Sequence, residues 1–287
     1  MGKFYESIPP NLIKWIEAQQ MFWVATAPLS GNGHVNVSPK GLRGSLHVVD
    51  ENQVWYEDMT GSGSEAAAHL REPGNGRITL MFSAFDSTPR ILRLFGQGTV
   101  HEFGTPEYEE RLPQGVRRPG SRSAIVVDIH KVGTSCGFGV PLYDFIAHRP
   151  MLLDFAAMLE SRDREVETAN GNTSADAGSP PPTSDKGLKA YWRKENMKSI
   201  DGLPALTSAP VSSVTPIHAP PDGSWGKKDK DKSMAASTSV KQEQVAMKSA
   251  GIAGSGLNNQ EVMRLVLAFS MGLAVAAVYV QLAGVVC

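Results

Sequence analysis

The sequence predicts a mainly-β region, either a barrel or a sandwich, over residues 1–160 of the 287-residue chain. Short apolar and β-branched runs recur between turn signals here, and only a few segments show helical spacing. Two of the runs flank Asn32-Gly33, a pair that favours a tight hairpin turn. The pattern alone does not decide between a barrel and a sandwich.

The elements of this region follow in order. Pro9 and Pro10 suit the start of a short helix, and Leu12, Ile13 and Ile16 follow them at helical spacing. A second short helix is predicted near residues 64–70. The predicted strands cover residues 22–26, 35–38, 45–49, 53–57, 78–85, 91–100 and 124–129.

Composition divides the rest of the chain into four segments. Residues 161–187 form a polar, low-complexity insertion that contains three consecutive prolines. Residues 188–204 regain aromatic and apolar side chains, so we expect them to dock on the first region. Residues 205–263 are rich in Ser, Ala, Pro and Lys. We predict that they form a disordered linker, because they cannot bury enough apolar surface to offset the entropy of ordering.

The last segment, residues 264–287, is predicted to be a transmembrane anchor. Its final 23 residues carry no charge. As a helix they would be about 34 Å long, enough to cross a hydrocarbon core of about 30 Å. Arg264 precedes them, with Lys241 and Lys248 upstream, so we expect the first region to face the cytosol. The alternatives are a buried core helix and an amphipathic helix that binds a partner.

Charge and cysteine usage exclude several classes of function. A net charge of -1 gives no overall field that would attract nucleic acid. Cys136 and Cys287 form neither a disulfide framework nor a CxxC metal site, which favours a reducing compartment. Cys136 has two interpretations. It is either a redox or nucleophilic thiol or a small buried apolar group. The histidines lack metal-ligand spacing, so we predict no metal site.

The Ser/Gly-rich turn from Thr60 to Ser64 is the most informative stretch for function. It lies between a predicted strand and a predicted helix. Glycines and a helix N-terminus present backbone N–H groups to an anion, and the hydroxyls of Thr60, Ser62 and Ser64 can add hydrogen bonds. The turn therefore suits a phosphate. The alternative is that Ser64 is only a helix cap and the glycines only form a turn.

The order of motifs around this turn resembles the pyridoxamine-phosphate-oxidase-like family over residues 4–149. The supporting motifs are Phe22-Trp23-Val24-Ala25-Thr26-Ala27, Asn36-Val37-Ser38-Pro39-Lys40-Gly41, Asn75-Gly76-Arg77 and Pro89-Arg90-Ile91-Leu92-Arg93-Leu94-Phe95-Gly96. The resemblance implies a six-stranded antiparallel split barrel with short helices. It also implies a homodimer that holds two FMN molecules at its interface.

The resemblance further implies which residues bind FMN. Thr60, Ser62 and Ser64 would contact its phosphate. Lys40 would approach the phosphate or the isoalloxazine ring, and Arg90 is a second basic candidate. For these two cations the alternative is a solvated strand end. FMN is expected rather than FAD or a dinucleotide, because no GxGxxG follows a strand.

The chain departs from true pyridoxamine-phosphate oxidase in two places. The family's Ser-Arg-Lys triplet is Ser62-Gly63-Ser64 here, so two positive charges are missing. The oxidase's C-terminal Arg-x-His segment has no match. We therefore do not expect oxidation of vitamin B6, and the substrate stays open.

Two hypotheses for the function remain. The first is an FMN-dependent oxidoreductase that moves a hydride or electrons between a reduced nicotinamide, or a similar donor, and a small acceptor. The second is a non-catalytic, membrane-anchored module that binds flavin or haem, with His69 or His130 as the haem ligand. The sequence offers no clear general acid or base, so no catalytic residue is assigned.

Overall fold

The computed structural model describes residues 2–170 and 183–218. This part of the chain contains eight strands, five α-helices and a short 3-10 helix. The strands are β1 (Lys3–Tyr5), β2 (Phe22–Thr26), β3 (Asn36–Lys40), β4 (Leu46–Val48), β5 (Gln53–Met59), β6 (Arg77–Ser83), β7 (Ile91–Glu102) and β8 (Ser121–Ser135). The helices are α1 (Pro10–Glu17), α2 (Glu65–Arg71), α3 (Pro106–Arg111), α4 (Met151–Asn170), α5 (Leu188–Glu195) and the 3-10 helix Ala209–Val211.

The strands form one curled antiparallel sheet, a half barrel, so the predicted mainly-β class is confirmed. The strand order is β3-β2-β6-β7-β8-β5-β4, and β1 pairs with β8. The long strand β8 pairs with β7 along one edge and with β5 and then β1 along the other. The sheet has eight strands where six were expected, and two of them, β1 and β4, have only three residues each.

Two bulges in β8 redirect its side chains. Asp58 of β5 pairs with Ser123 but Met59 pairs with Ser121, so Arg122 is left without a partner on β5. The pairing with β7 shifts in the same way at His130, between Phe95 and Gly96. A bulge adds one residue to one strand and bends it locally. The first of these bulges lies beside the candidate site.

The main core lies between the curled sheet and α1. Alternate side chains of β2 are buried, as expected for a strand with one face on a core. Phe22 packs edge-on against Tyr56 and is stacked with Phe82, at ring-centroid distances of 5.7 and 5.6 Å. Leu12 and Ile16 of α1 cover this cluster. Each large apolar side chain buried here contributes about 1.5–3 kcal/mol to folding.

A second core joins the outer side of the sheet to the C-terminal part of the described chain. Trp192 of α5 is fully buried and its ring centroid lies 5.4 Å from that of Phe103. Leu206 and Ala209 are fully buried in the same cluster. Residues 188–209 therefore pack against the β region through contacts with the end of β7 and with α3.

Helix α4 crosses the boundary that the sequence analysis placed at residue 160. Leu153, Ala156 and Leu159 are buried at intervals of three residues, so one helical face packs inward and the helix continues to Asn170. The remainder of the low-complexity insertion includes residues 171–182, which lie outside the described residues.

The start of the predicted linker, residues 205–218, is packed rather than extended in solvent, which corrects that expectation. The buried carboxylate of Glu102 accepts hydrogen bonds from the backbone N–H groups of Thr207, Ser208 and Ala209, at 2.7–2.9 Å. Charge-assisted bonds to several N–H groups satisfy backbone that would otherwise prefer water. Composition could not show this, because the acceptor lies about a hundred residues earlier in the chain.

Residues 219–287, which hold the rest of the linker and the predicted anchor, lie outside the described residues. Among the helices of the described part, none is both long and apolar enough to span a bilayer. The anchor therefore stays a prediction from sequence.

Candidate functional site

A cleft of about 320 Å³ lies where β3, β5 and the start of α2 meet. Lys40 at the end of β3 lines one side, and the loop Gly61–Gly63 after β5 lines another. Arg122, the bulged residue of β8, also reaches the cleft. The cleft thus combines two cations with a Ser/Gly-rich loop.

Asp58 holds these two cations in place. Its carboxylate accepts a hydrogen bond from Lys40 Nζ at 2.8 Å and another from Arg122 Nε at 2.8 Å. Burial alone would raise the pKa of Asp58, but the charges of Arg122 and Lys40 outweigh burial and lower that pKa to about 2. Asp58 is therefore ionised at neutral pH and fixes both cations beside the cleft.

A second carboxylate, Glu57, is also paired. Glu57 is 1% exposed and lines the cleft. It accepts a hydrogen bond from the backbone N–H of Arg118 at 2.9 Å and forms an ion pair with the guanidinium of Arg118. Both Glu57 and Asp58 are thus engaged by cations, and neither is placed as an unpaired general base.

The three predicted phosphate hydroxyls have different environments. Thr60 is 2% exposed; its hydroxyl donates to the carbonyl of Gly120 at 2.6 Å and accepts from Trp192 Nε1 at 2.8 Å. Ser64 is also 2% exposed, and its hydroxyl donates to the carbonyl of Lys198 at 3.1 Å. Only Ser62, of these three, is exposed at the cleft.

The C-terminal part of the described chain holds the loop. Asn196 is fully buried, and its Nδ2 donates to the carbonyl of Gly61 at 2.8 Å. With the bonds from Trp192 to Thr60 and from Ser64 to Lys198, three hydrogen bonds fasten the loop to residues more than 130 positions later. These positioning contacts fix the backbone that faces the cleft.

Arg90 is not brought to this cleft. Its guanidinium lies over the Trp15 ring, 5.3 Å from the centroid, on another part of the same chain. Of the five residues predicted to bind the cofactor, the structure therefore places Lys40, Thr60 and Ser62 along the cleft, Ser64 directly beside it and Arg90 apart from it.

Sequence reasoning missed Arg122, Asp58 and the residues that clamp the loop. Arg122 supplies the cleft with one positive charge, which Gly63 of the loop cannot provide. Its side chain reaches the cleft because of a bulge in β8, and such a bulge has no local sequence signal. In the sequence, Asp58 directly follows the strand predicted at residues 53–57. Its pairing with Lys40 and Arg122 depends on the contacts of three strands.

The two candidate haem ligands lie in different environments. His69 is fully buried; its Nδ1 is 3.0 Å from Thr26 Oγ1, and burial lowers its pKa, which favours the neutral ring. His130 is exposed and lines a separate cavity of about 370 Å³ on the sheet. Within residues 2–170 and 183–218, no cluster of three or more His, Cys, Asp or Glu side chains is arranged to hold a metal ion.

Cys136 is exposed immediately after β8. The alternative of a buried apolar cysteine is therefore wrong. Strand β8 ends at Ser135, so Cys136 lies in the connection between β8 and α4.

Comparison with known proteins identifies the class of protein that this fold and cleft define. The family description "Pyridoxamine 5'-phosphate oxidase" matches residues 8–136. The chain is 42% identical over 224 residues to the pyridoxamine 5'-phosphate oxidase family protein ustO of Aspergillus flavus, covering 73% of this chain and 80% of that protein. The chain belongs to the pyridoxamine 5'-phosphate oxidase family.

Solved structures show weaker similarity. HupZ from Group A Streptococcus is 20% identical, with a TM-score of 0.35, over 44% of this chain and 91% of the solved one. The FAD binding protein from Mycobacterium smegmatis is 10% identical, with a TM-score of 0.31, over 45% of this chain and 96% of the solved one.

Proposed function

We propose that this chain binds a flavin, that the flavin is FMN, and that its phosphate occupies the cleft beside Lys40, Ser62 and Arg122. The observation that carries the proposal is the meeting of two cations and an exposed Ser/Gly loop in one cleft. Family membership supports it. FMN is proposed rather than a dinucleotide because the sequence lacks the glycine pattern of dinucleotide sites.

The residues present fit a phosphate. A lysine ammonium has three donors and a guanidinium five, so the bonds to Asp58 leave both Lys40 and Arg122 with further donors. A Cβ added at Gly61 would meet no atom within 4 Å, so the backbone there faces open space. These features allow close approach of an anion despite the absence of the family's Arg-Lys pair in the loop.

The activity we propose is that of an oxidoreductase acting on an unknown small substrate. Bound flavin would supply hydride or electron transfer. The residues of the chain would bind the phosphate through Ser62, Lys40 and Arg122 and orient the flavin through the fixed loop. Asp58 would hold both cations in position.

A second candidate is a flavin-binding module without turnover. It is favoured by the pairing of Glu57 and Asp58 with cations, which leaves neither carboxylate as an unpaired base. Haem has less support, because His69 is buried and hydrogen-bonded and His130 lies in another cavity.

One set of measurements tests these functions. The full chain is purified in detergent, its visible spectrum is recorded, and the released cofactor is separated to distinguish FMN from FAD. A flavin spectrum bleached by NADH or NADPH supports the oxidoreductase, and a flavin that is not reduced supports the module. A Soret band, or a protein without any flavin, would contradict the proposal.

We also propose that the chain forms a homodimer. Large apolar side chains are exposed between β8 and the start of α4: Phe138, Leu142, Ile146 and Met151 are 66–83% exposed. Monomers rarely expose so many neighbouring apolar side chains. Sedimentation of the purified chain at several concentrations tests this, and a monomer at all of them would contradict it.

A further inference from the structure

A large pocket adjoins the candidate phosphate cleft and is not used by it. Its volume is about 860 Å³, more than twice that of the cleft. The two share the wall Pro39–Leu42 and the side chain of Leu152. A molecule in this pocket would therefore lie directly beside whatever extends from the cleft past Lys40.

The pocket has a wall of aromatic rings from three parts of the chain. The ring centroid of Trp23, on β2, is 5.9 Å from that of Phe85, which follows β6. Phe85 is in turn 5.5 Å from Tyr143, in the segment before α4. These spacings are typical of interacting aromatic rings. The wall offers planar, polarisable surface to a ligand.

The segment that carries Tyr143 is attached to the sheet. The backbone N–H of Tyr143 donates to the carbonyl of Phe85 at 2.9 Å. Tyr143 nevertheless stays 63% exposed, so its ring covers the pocket without being part of a closed core. A Tyr143→Ala variant would retain the backbone bond and lose the ring.

The charges lie at the rim of the pocket rather than on its aromatic wall. Asp86, Asp144 and Arg149 are exposed lining residues, two acidic and one basic. Lys40, at the junction with the cleft, is paired with Asp58. The aromatic wall of Trp23, Phe85 and Tyr143 thus favours a planar and mainly apolar molecule.

We infer that this aromatic pocket, defined by Trp23, Phe85 and Tyr143, is the substrate site and that it takes a planar, uncharged aromatic molecule. The inference rests on the proposed function, since it treats the neighbouring cleft as the flavin site. It deepens that function by naming the class of substrate.

The test uses 2-naphthol, a planar uncharged probe, and 1-octanol, an apolar probe without a ring. Binding to the full-length protein is measured by calorimetry, and the flavin content of the same sample is measured separately by absorbance. We expect saturable binding of 2-naphthol at one site per chain and at least tenfold weaker binding of 1-octanol. Tyr143→Ala should weaken 2-naphthol binding about tenfold, the scale of one lost aromatic contact.

Tyr5→Ala is the matched control. Tyr5, on β1, is an exposed tyrosine that does not line the pocket. It should leave the affinity unchanged. No saturable binding of 2-naphthol, equal effects of the two variants, or equally tight 1-octanol binding would overturn the inference. A change in sedimentation with Tyr143→Ala and unchanged 2-naphthol affinity would assign the pocket to a second copy of the chain and also overturn it.

The two proposals can fail separately. Naphthol binding in a protein that holds no flavin would support the aromatic pocket and contradict the flavin function. A protein that holds flavin but does not bind 2-naphthol would support the flavin function and contradict the aromatic pocket. A shift of the flavin absorbance maximum on addition of 2-naphthol would support both, because it requires the two ligands to be adjacent.

Discussion

At the residue scale, Asp58 determines the electrostatics of the cleft. It is buried, ionised and shared by Lys40 and Arg122. Burial alone would raise its pKa, but the charges of these two residues outweigh burial and lower the pKa to about 2. A buried carboxylate of this kind stabilises the fold only while it is charged and paired. Its protonation therefore couples the stability of the fold to the geometry of the candidate site.

Asp58 should make the stability of the protein depend on pH. Its pKa is depressed on folding, so its contribution is present above the unfolded value of about 3.9 and is lost as pH falls towards 2. The shift corresponds to about 2 kcal/mol. Asp58→Asn should lower the free energy of unfolding at pH 7 and flatten its decline between pH 4 and pH 2, as measured by urea unfolding monitored by circular dichroism. Asp86→Asn, which changes an exposed carboxylate, should leave the curve as it is.

Ser62 is the residue at which the phosphate assignment is most directly tested. It is the exposed hydroxyl of the loop, so Ser62→Glu would place a negative charge in the cleft without disturbing a core. We expect loss of bound flavin with an unchanged far-ultraviolet spectrum. Ser87→Glu, in the exposed turn between β6 and β7, is the matched control and should retain the cofactor. Stoichiometric flavin in the Ser62 variant would refute the site.

At the element scale, α5 and the residues after it act as a brace for the cleft loop. Trp192 and Asn196 both donate to that loop, and the carbonyl of Lys198 accepts from Ser64. The loop is thus fastened from one side by an element far away in sequence. Its conformation depends on the docking of α5 as well as on its own glycines.

Removing one bond of this brace should loosen the loop. Trp192→Phe keeps the buried ring but loses the bond from Nε1 to Thr60, which contributes about 1 kcal/mol. We expect faster amide hydrogen exchange at residues 60–64 and weaker flavin binding in the folded protein. Trp55→Phe, which retains an aromatic ring against His47, provides the comparison. Equal exchange in the two variants would argue against the brace.

Glu102 anchors the next part of the chain in a similar way. Its carboxylate is 1% exposed, pairs with Arg71 and accepts from three consecutive backbone N–H groups at Thr207–Ala209. Glu102→Gln removes the charge and one acceptor, so residues 205–218 should detach more often. Limited proteolysis would then cut there faster than in the native protein, whereas Glu107→Gln, at an exposed position of α3, should not change the rate.

At the scale of the whole molecule, the proposed membrane anchor belongs to residues 219–287, which are outside the described residues. The uncharged residues 265–287 would give a helix of about 34 Å. We expect the full-length protein to stay with membranes after carbonate extraction and a chain ended at Met263 to be released. Release of both would end the anchor proposal.

The fold and part of the site could be predicted from sequence. Periodicity located β2, β5, β6 and β7 and the two short helices, because those segments carry their own apolar alternation or spacing. The Ser/Gly loop and Lys40 were also visible, since glycines, hydroxyls and a strand-end cation are local features. Helix α3, the length of α4 and the packing of residues 205–218 were not predicted, because tertiary contacts rather than local pattern stabilise them.

The sequence by itself determined the mainly-β class, the family resemblance and the loop on which an anion can bind. Only the tertiary structure decided how that loop is supplied with charge and held in place. Arg122 reaches the cleft through a bulge between β5 and β8, and Trp192 and Asn196 reach the loop from more than 130 residues away. It also decided that Thr60 and Ser64 are buried and that Arg90 is distant. The physical reason is that strand register and long-range packing bring these groups together, and neither leaves a signal in the local order of residues.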